Sequence, residues 1–239
     1  MNERRTGALR AIPQALGRGR ERFVHAVQSR YPTVAVTGMT GVGKTELVQR
    51  LAGRDGEVVG DAGSAVMERR VQRGKRLTGF RFRVVPGENA ATRLGALDEV
   101  FHDDPVDGVL HVVANGHATG RRPAGTSGAV VVDRETQLAR ELDDWTVTAH
   151  RIAAMAVRRT YPTWLIIVVD KIDLYPDDVD AVVRSYSPGS GTPFGDKLDE
   201  LRALAGHAKL AIDVLPATSR EDQYLAALET RMAQLSGHR

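Results

Sequence analysis

Eight consecutive residues near the start of the chain, Gly38-Met39-Thr40-Gly41-Val42-Gly43-Lys44-Thr45, restrict what it can fold into more than any other feature. They satisfy G-x-x-x-x-G-K-[ST] and stand between an apolar β-branched run, Thr33–Thr37, and a helix-like stretch, Thr45–Leu51. A glycine-rich turn in that setting lets the backbone wrap closely around an anion with its N–H groups turned inward. The helix N-terminus adds partial positive charge. Lys44 then suits the β- and γ-phosphates of a nucleotide, and the Thr45 hydroxyl suits Mg²⁺. The loop by itself points to a nucleoside triphosphate and leaves the base open.

The rest of the composition narrows the class. A length of 239 residues fits one α/β domain with extensions better than two full domains. With 42% hydrophobic and 26% charged residues the chain belongs with globular proteins, not disordered ones. Cysteine is absent, which excludes disulfides, thiolate metal sites and cysteine nucleophiles. The apolar run Trp164–Val169 is far shorter than the roughly 20 residues of a membrane span. The first residues carry arginines but no apolar secretory core. A soluble, cytoplasmic protein is expected.

Charge is uneven. Residues 1–30 hold seven arginines against Glu3 and Glu21, a net +5 within a whole-chain net of +3. The basic character therefore belongs to this leader, and the remainder is slightly acidic. Leu9, Ile12, Leu16, Phe23, Val24 and Val27 give the leader an interrupted amphipathic pattern, so it is expected as a helical extension over 1–30. It either packs on its own domain or touches an anionic membrane surface or a partner. It lacks interleaved aromatics, so the nucleic-acid signal is weak.

From Tyr31 onward, apolar strand-like runs alternate with helix-like stretches. Strands are predicted at Thr33–Thr37, Val66–Arg73, Thr78–Val85, Val109–Ala114, Trp164–Val169 and Leu210–Leu215. Helices are predicted at Thr45–Leu51, Glu135–Arg159, Leu198–Ala205 and Glu221–Leu235. This alternation implies right-handed crossovers and an α/β fold with a mostly parallel central sheet flanked by helices. One such domain is expected over 31–237. The Gly- and Arg-containing stretch 116–128 reads as an inserted loop, functional or mobile.

A second motif addresses the base. The run Trp164–Val169 leads into Asp170-Lys171-Ile172-Asp173. A strand ending in x-K-x-D places polar side chains at the carboxyl edge of an open α/β sheet, where ligands bind. A carboxylate at Asp173 accepts from guanine N1–H and N2–H₂ together. Adenine offers an acceptor at N1 and leaves that carboxylate unpaired. The Lys171 stem suits the face of the base.

Taken together, the phosphate loop, the hairpin, the Pro86-Gly87 turn, the x-K-x-D strand end and a last strand followed by Pro216-Ala217-Thr218-Ser219 resemble the translation-factor and Ras-like (TRAFAC) class of P-loop GTPases over residues 31–237. The resemblance implies a small G-protein-like P-loop NTPase domain that binds GTP and GDP with Mg²⁺. It implies nucleotide contacts from residues 38–45 and Glu46, from Asp170, Lys171 and Asp173, and from Ala217, Thr218 and Ser219, whose loop meets guanine O6. The segment Gly60-Asp61-Ala62-Gly63-Ser64 matches the family's metal-sensing stretch, with Ser64 as a Mg²⁺ ligand and Asp61 as a supplementary charge; an ordinary flexible loop is the competing reading.

Three positions depart from the family pattern. The D-x-x-G turn is Val84-Val85-Pro86-Gly87, so the carboxylate that holds Mg²⁺ through water is missing, while Gly87 keeps an N–H for the γ-phosphate. Glu88 stands where many members orient water with Gln; it either activates the water or repels the phosphate. Asp170 replaces Asn, so the donor to guanine N7 is lost unless Asp170 is protonated; otherwise Asp170 braces the phosphate loop through Lys44 or a backbone N–H. Gly41 replaces the Asn of potassium-dependent members, and Thr40 crowds any arginine supplied in trans. Arg69, Arg70, Arg121 and Arg122 qualify for that role by location alone.

The expected activity is slow hydrolysis of Mg²⁺·GTP, with Lys44, Gly87 and Glu88 at the reacting phosphate, in a nucleotide-dependent switch. Two other readings stay open: a catalytically weak GTP-binding scaffold, motivated by Val84, and an ATP-dependent P-loop kinase. The protein partner and any pairing of two copies across the nucleotide are left open.

Overall fold

The computed structural model of the protein describes residues 31–53, 57–59, 68–73, 79–87, 90–119, 132–218 and 220–237. The basic leader, Asp61, Ser64, Glu88, Arg121, Arg122, Ser219 and most of the 116–128 loop lie outside these, as do the side chains of Arg69 and Arg70. The chain divides into Met1–Tyr31 and Pro32–Arg239, and the fold below is that of the second unit.

Its described elements follow in chain order: β1 (Thr33–Thr37), α1 (Lys44–Leu51), β2 (Glu57–Val59), β3 (Glu68–Arg73), β4 (Gly79–Val84), α2 (Ala90–Asp98) running into a π turn at Glu99–Asp103, β5 (Gly108–Val113), α3 (Arg134–Arg158), β6 (Thr163–Val169), α4 (Val179–Ser185), α5 (Pro193–Ala205), β7 (Leu210–Pro216) and α6 (Asp222–Ser236). The strands form one sheet in the order β2-β3-β4-β1-β5-β6-β7. From β4 to β7 every pairing is parallel, whereas β2 and β3 add an antiparallel flank.

The reason lies in the strand sequences. TVAVT, GVLHVV and TWLIIVV are buried at every position, as central parallel strands covered on both faces must be. Alternate residues divide between two cores. Val34, Val36, Leu110, Val112, Ile166 and Val168 pack under α1 and α6 with Leu47, Leu51, Leu228 and Met232. Ala35, Val109, Val113, Leu165 and Ile167 face Trp145, Ile152 and Met155 of α3 and Leu198 and Leu201 of α5. β4 has one polar face: Phe80, Phe82 and Val84 point inward, and Arg81 and Arg83 alternate with them.

Capping sets the helix starts. Asp133 accepts the Thr136 N–H at 2.9 Å and opens α3; Thr192, followed by Pro193, accepts the Gly195 N–H at 3.1 Å and opens α5. The proline places the start of α5 five residues before the predicted Leu198. β2, α2 and α4 were not predicted. α2 reads AATRLGALD, with an internal glycine and weak apolar periodicity, and α4 and β2 are short. No helix among the described residues is long and apolar enough to cross a membrane.

Close packing of β5 on β6 requires one glycine. A Cβ on Gly108 would fall 2.1 Å from the Trp164 ring. Gly108→Ala is therefore expected to destabilise the fold by about 1–3 kcal/mol, as overpacking does. A lowered urea midpoint at unchanged slope is the check.

Candidate functional site

The predicted residues that are described converge at the carboxyl edge of β1, β5, β6 and β7. Gly38, Gly41 and Gly43 all take positive φ (129°, 83° and 107°), which side chains resist. Space forbids side chains as well: a Cβ would lie 2.3 Å from the Val112 carbonyl oxygen at Gly38, 2.0 Å from that of Thr119 at Gly41, and 2.2 Å from the Asp170 carboxylate at Gly43. The loop is thus moulded against the ends of β5 and β6. Lys44, at the first turn of α1, turns back into it and donates to the carbonyl oxygens of Gly38 (2.7 Å) and Met39 (2.8 Å). Gly43 caps α1 without a side-chain bond, Val42 is buried beneath the loop, Thr45 is half-buried and Glu46 exposed.

Two other segments close on this loop. The turn after β4 rests on it: a Cβ at Gly87 would lie 2.7 Å from the N and Oγ1 of Thr40. Val84 and Val85, just before that turn, are buried, and Val84 belongs to the apolar core. Of the groups expected to hold Mg²⁺, the Thr45 hydroxyl fits the ion, whereas the position of the missing carboxylate is filled by an aliphatic side chain that no metal uses.

The segment after β6 binds the loop more firmly. Lys171, with φ 59°, donates its ammonium to the Gly41 carbonyl oxygen (2.8 Å), the His117 carbonyl oxygen (2.7 Å) and Thr119 Oγ1 (2.7 Å). The Thr119 N–H in turn donates to the Gly41 carbonyl at 2.9 Å. The sequence reading placed the Lys171 stem over a base; here the head of the side chain is committed to fastening three backbone segments. Burial lowers its pKa, against the pull of Asp170, Glu46, Glu141 and Asp173.

Asp170 is buried at the tip of β6 against Gly43. Its Oδ1 accepts the N–H of Lys171 (2.7 Å), and its carbonyl accepts the Tyr175 hydroxyl (2.7 Å). Its Oδ2 lies close against Gly43 of the phosphate loop. Burial, helped by the nearby Glu46 and Asp173 carboxylates, pushes the Asp170 carboxyl up to about 6.

Asp173 lies on the turn that follows. Its Oδ1 accepts from Thr218 Oγ1 at 2.9 Å and its Oδ2 pairs with Arg220 at 3.0 Å. Ala217 and Thr218 are buried, the Ala217 N–H donating to the Val169 carbonyl at 2.8 Å. The loops after β6 and β7 are therefore joined through Asp173. Sequence reasoning missed His117, Thr119, Tyr175 and Arg220; the loop expected over 116–128 covered the first two without revealing what they hold.

The raised Asp170 carboxyl has a stability consequence. Its folded pKa, about 6, exceeds the ordinary value, so the fold binds the proton more tightly than the unfolded chain. This contribution is fully present below about pH 4 and is lost as pH rises through 6. Asp170→Asn keeps the side chain neutral throughout. It is expected to match the wild type near pH 4 and to exceed it by on the order of 2–3 kcal/mol at pH 7.5. Denaturant melts of both proteins across that range measure it; parallel curves refute it.

No protein-family model and no curated protein matches the chain. Solved structures do. The mammalian SRP receptor aligns with a TM-score of 0.54 at 15% identity, covering 85% of this chain and 99% of that one. The small COPII coat GTPase Sar1 of Encephalitozoon cuniculi, in complex with GDP, aligns with a TM-score of 0.50 at 12% identity, covering 94% and 92%. The G domain of the T. maritima FeoB iron transporter aligns at 0.48 and 17% identity, covering 87% and 99%. The five parallel strands, the flanking helices and the first two of these neighbours show an α/β P-loop NTPase fold.

Proposed function

We propose that the protein binds GTP and GDP and acts as a nucleotide-dependent switch that hydrolyses Mg²⁺·GTP slowly. The observation that carries this reading is the Lys171 bridge. It ties the loop suited to phosphates (residues 38–45) to the strand end bearing Asp173, so that a phosphate cradle and a candidate base reader form one continuous edge.

In this reading the triphosphate lies along the N–H groups of residues 38–45, with Lys44 exchanging its carbonyl acceptors for β- and γ-oxygens. Asp173 accepts two N–H groups of guanine with Arg220 swung aside, and Thr218 keeps the carboxylate oriented. Ser219 completes the loop beside guanine O6, and Asp170, when neutral, has a proton to offer N7. The Gly87 N–H faces the γ-phosphate, with Glu88 at the attacking water. Mg²⁺ would be held by Thr45 and Ser64, with Asp61 nearby, and would neutralise charge on the phosphates. Every role is one of positioning and electrostatics.

The aliphatic Val84 favours a second reading, a GTP-binding scaffold with little turnover. Phosphate release by wild type against Lys44→Ala separates the two readings: release above that control supports the switch, and tight GTP binding without it supports the scaffold.

Calorimetry tests binding itself. GDP and GTP are expected to bind, and ATP is expected not to displace them. Lys44→Ala should weaken GTP by about 10- to 100-fold, the cost of a charge-assisted hydrogen-bond donor. Asp173→Asn should transfer preference from guanine to xanthine nucleotides. Absence of GDP and GTP binding to the folded wild type overturns the proposal.

A further inference from the structure

Glu141, in the middle of α3, is 2% exposed, and among the described residues no lysine or arginine forms an ion pair with it. Its hydrogen-bond partners are neutral, and Lys171 acts on it through space. Oε1 accepts the N–H groups of Ala114 (2.9 Å) and Gly116 (3.3 Å), and Oε2 accepts the Tyr186 hydroxyl (2.7 Å) at the end of α4. A buried carboxylate is costly, and a core helix has no use for one unless it does something an apolar side chain does not.

What it holds is the turn out of β5. Ala114 and Gly116 flank Asn115, a non-glycine residue at φ 50°. Arg134, two helical turns before Glu141, fixes that residue from the other side, donating to the Asn115 carbonyl (3.1 Å) and to its Oδ1 (2.8 Å). The His117 N–H closes the turn on the Ala114 carbonyl at 2.8 Å. Directly downstream, the His117 carbonyl and Thr119 Oγ1 hold the Lys171 ammonium, and the Thr119 N–H holds Gly41. The chain of contacts is unbroken: Tyr186, Glu141, the 114–116 turn, 117–119, then Lys171 and Gly41.

We infer that Glu141 is a positioning residue for the phosphate loop: by binding two N–H groups of the β5 turn it sets 117–119 at the distance from which they fasten Lys171 and Gly41. Through Tyr186 it makes that distance depend on where α4 ends. This rests on the nucleotide reading only for its effect on affinity; the effect on the loop is independent of any ligand.

The test uses full-length protein. Glu141→Ala, Glu141→Gln and Tyr186→Phe are compared with Leu198→Ala, a core truncation in α5 that removes no hydrogen bond from the turn. Amide hydrogen exchange without nucleotide is expected to show residues 38–44 losing protection about tenfold in Glu141→Ala. Glu141→Gln, whose carbonyl still accepts both N–H groups, should restore most of it. Leu198→Ala should lower the melting temperature without singling out the loop. Release of a fluorescent GDP analogue should accelerate in the same order. Loop protection in Glu141→Ala no different from that in Leu198→Ala overturns the proposal. Should Glu141→Ala not fold, Tyr186→Phe decides: faster loop exchange supports it, unchanged exchange overturns it. A wild type that binds no GDP yet shows the exchange pattern refutes the nucleotide reading and leaves this one standing.

Discussion

The site depends on one ammonium group. Lys171 presents three N–H donors and meets three oxygens, of Gly41, His117 and Thr119, each at 2.7–2.8 Å. Those oxygens belong to segments leaving β1 and β5, while the lysine itself leaves β6. Sheet order makes the arrangement possible: β5 lies between β1 and β6, so the chain beyond β5 is within reach of both neighbours. A glycine loop bent through three positive-φ residues carries few interactions of its own. Lys171 supplies an external fastening, and the three oxygens replace the water that its half-buried ammonium gives up. Lys44 fastens the same loop from inside, on Gly38 and Met39.

The two lysines also set the electrostatics. Asp170, Glu46 and Asp173 lie close to Lys171, so the site alternates in sign over a short distance. Asp170 bears the strain of that alternation. It sits in the most buried position, beside two other carboxylates, and its carboxyl rises to about 6 where an exposed aspartate stays near 4. An amide at this position would avoid the cost. A carboxyl accepts it, and near neutrality its charge state becomes sensitive to whatever anion enters the adjoining loop. A polyphosphate would favour the protonated form, adding like-charge repulsion to the burial that already raises the pKa.

How much of this was legible in the sequence follows from the range of each interaction. The glycine loop and the strands were readable because both are local: φ preference and unbroken β-branched runs belong to adjacent residues. The parallel sheet followed from the alternation of elements, whereas β2 of the antiparallel flank, three residues long, was not predicted. The contacts of Lys171 and Arg220 were not readable, because each joins residues brought together only by strand order. Glu141 left a trace that went unused. It falls on the buried side of α3 between Leu138, Leu142 and Trp145, where a charge contradicts the helical pattern, as Asp144 does three residues later. Asp144 pairs with Arg93 of α2, an element the periodicity did not reveal, so neither violation had a visible explanation. Val84 was the converse: its identity showed from sequence alone that no carboxylate stands there, and its burial adds that an apolar core has taken the place.

The pairing of Arg220 with Asp173 bears on how such a site would choose its base. Both oxygens of Asp173 are occupied, one by Thr218 and one by Arg220, yet the two partners differ in kind. Thr218 is fully buried two residues beyond the end of β7, whereas the Arg220 side chain is 72% exposed. The arginine end of the pair is exposed, so Arg220 is exchanged for another donor with little rearrangement, while disturbing Thr218 would strip a hydrogen bond from a buried group. The carboxylate is therefore held in a fixed direction on one side and is readily vacated on the other. An incoming ligand that supplies two adjacent N–H donors recovers what Arg220 gave up. One that supplies an acceptor leaves a largely buried charge with half its partners. Selectivity for a donor edge then rests on the contrast between a permanent neighbour and a displaceable one, and does not require Asp173 to be unpaired beforehand.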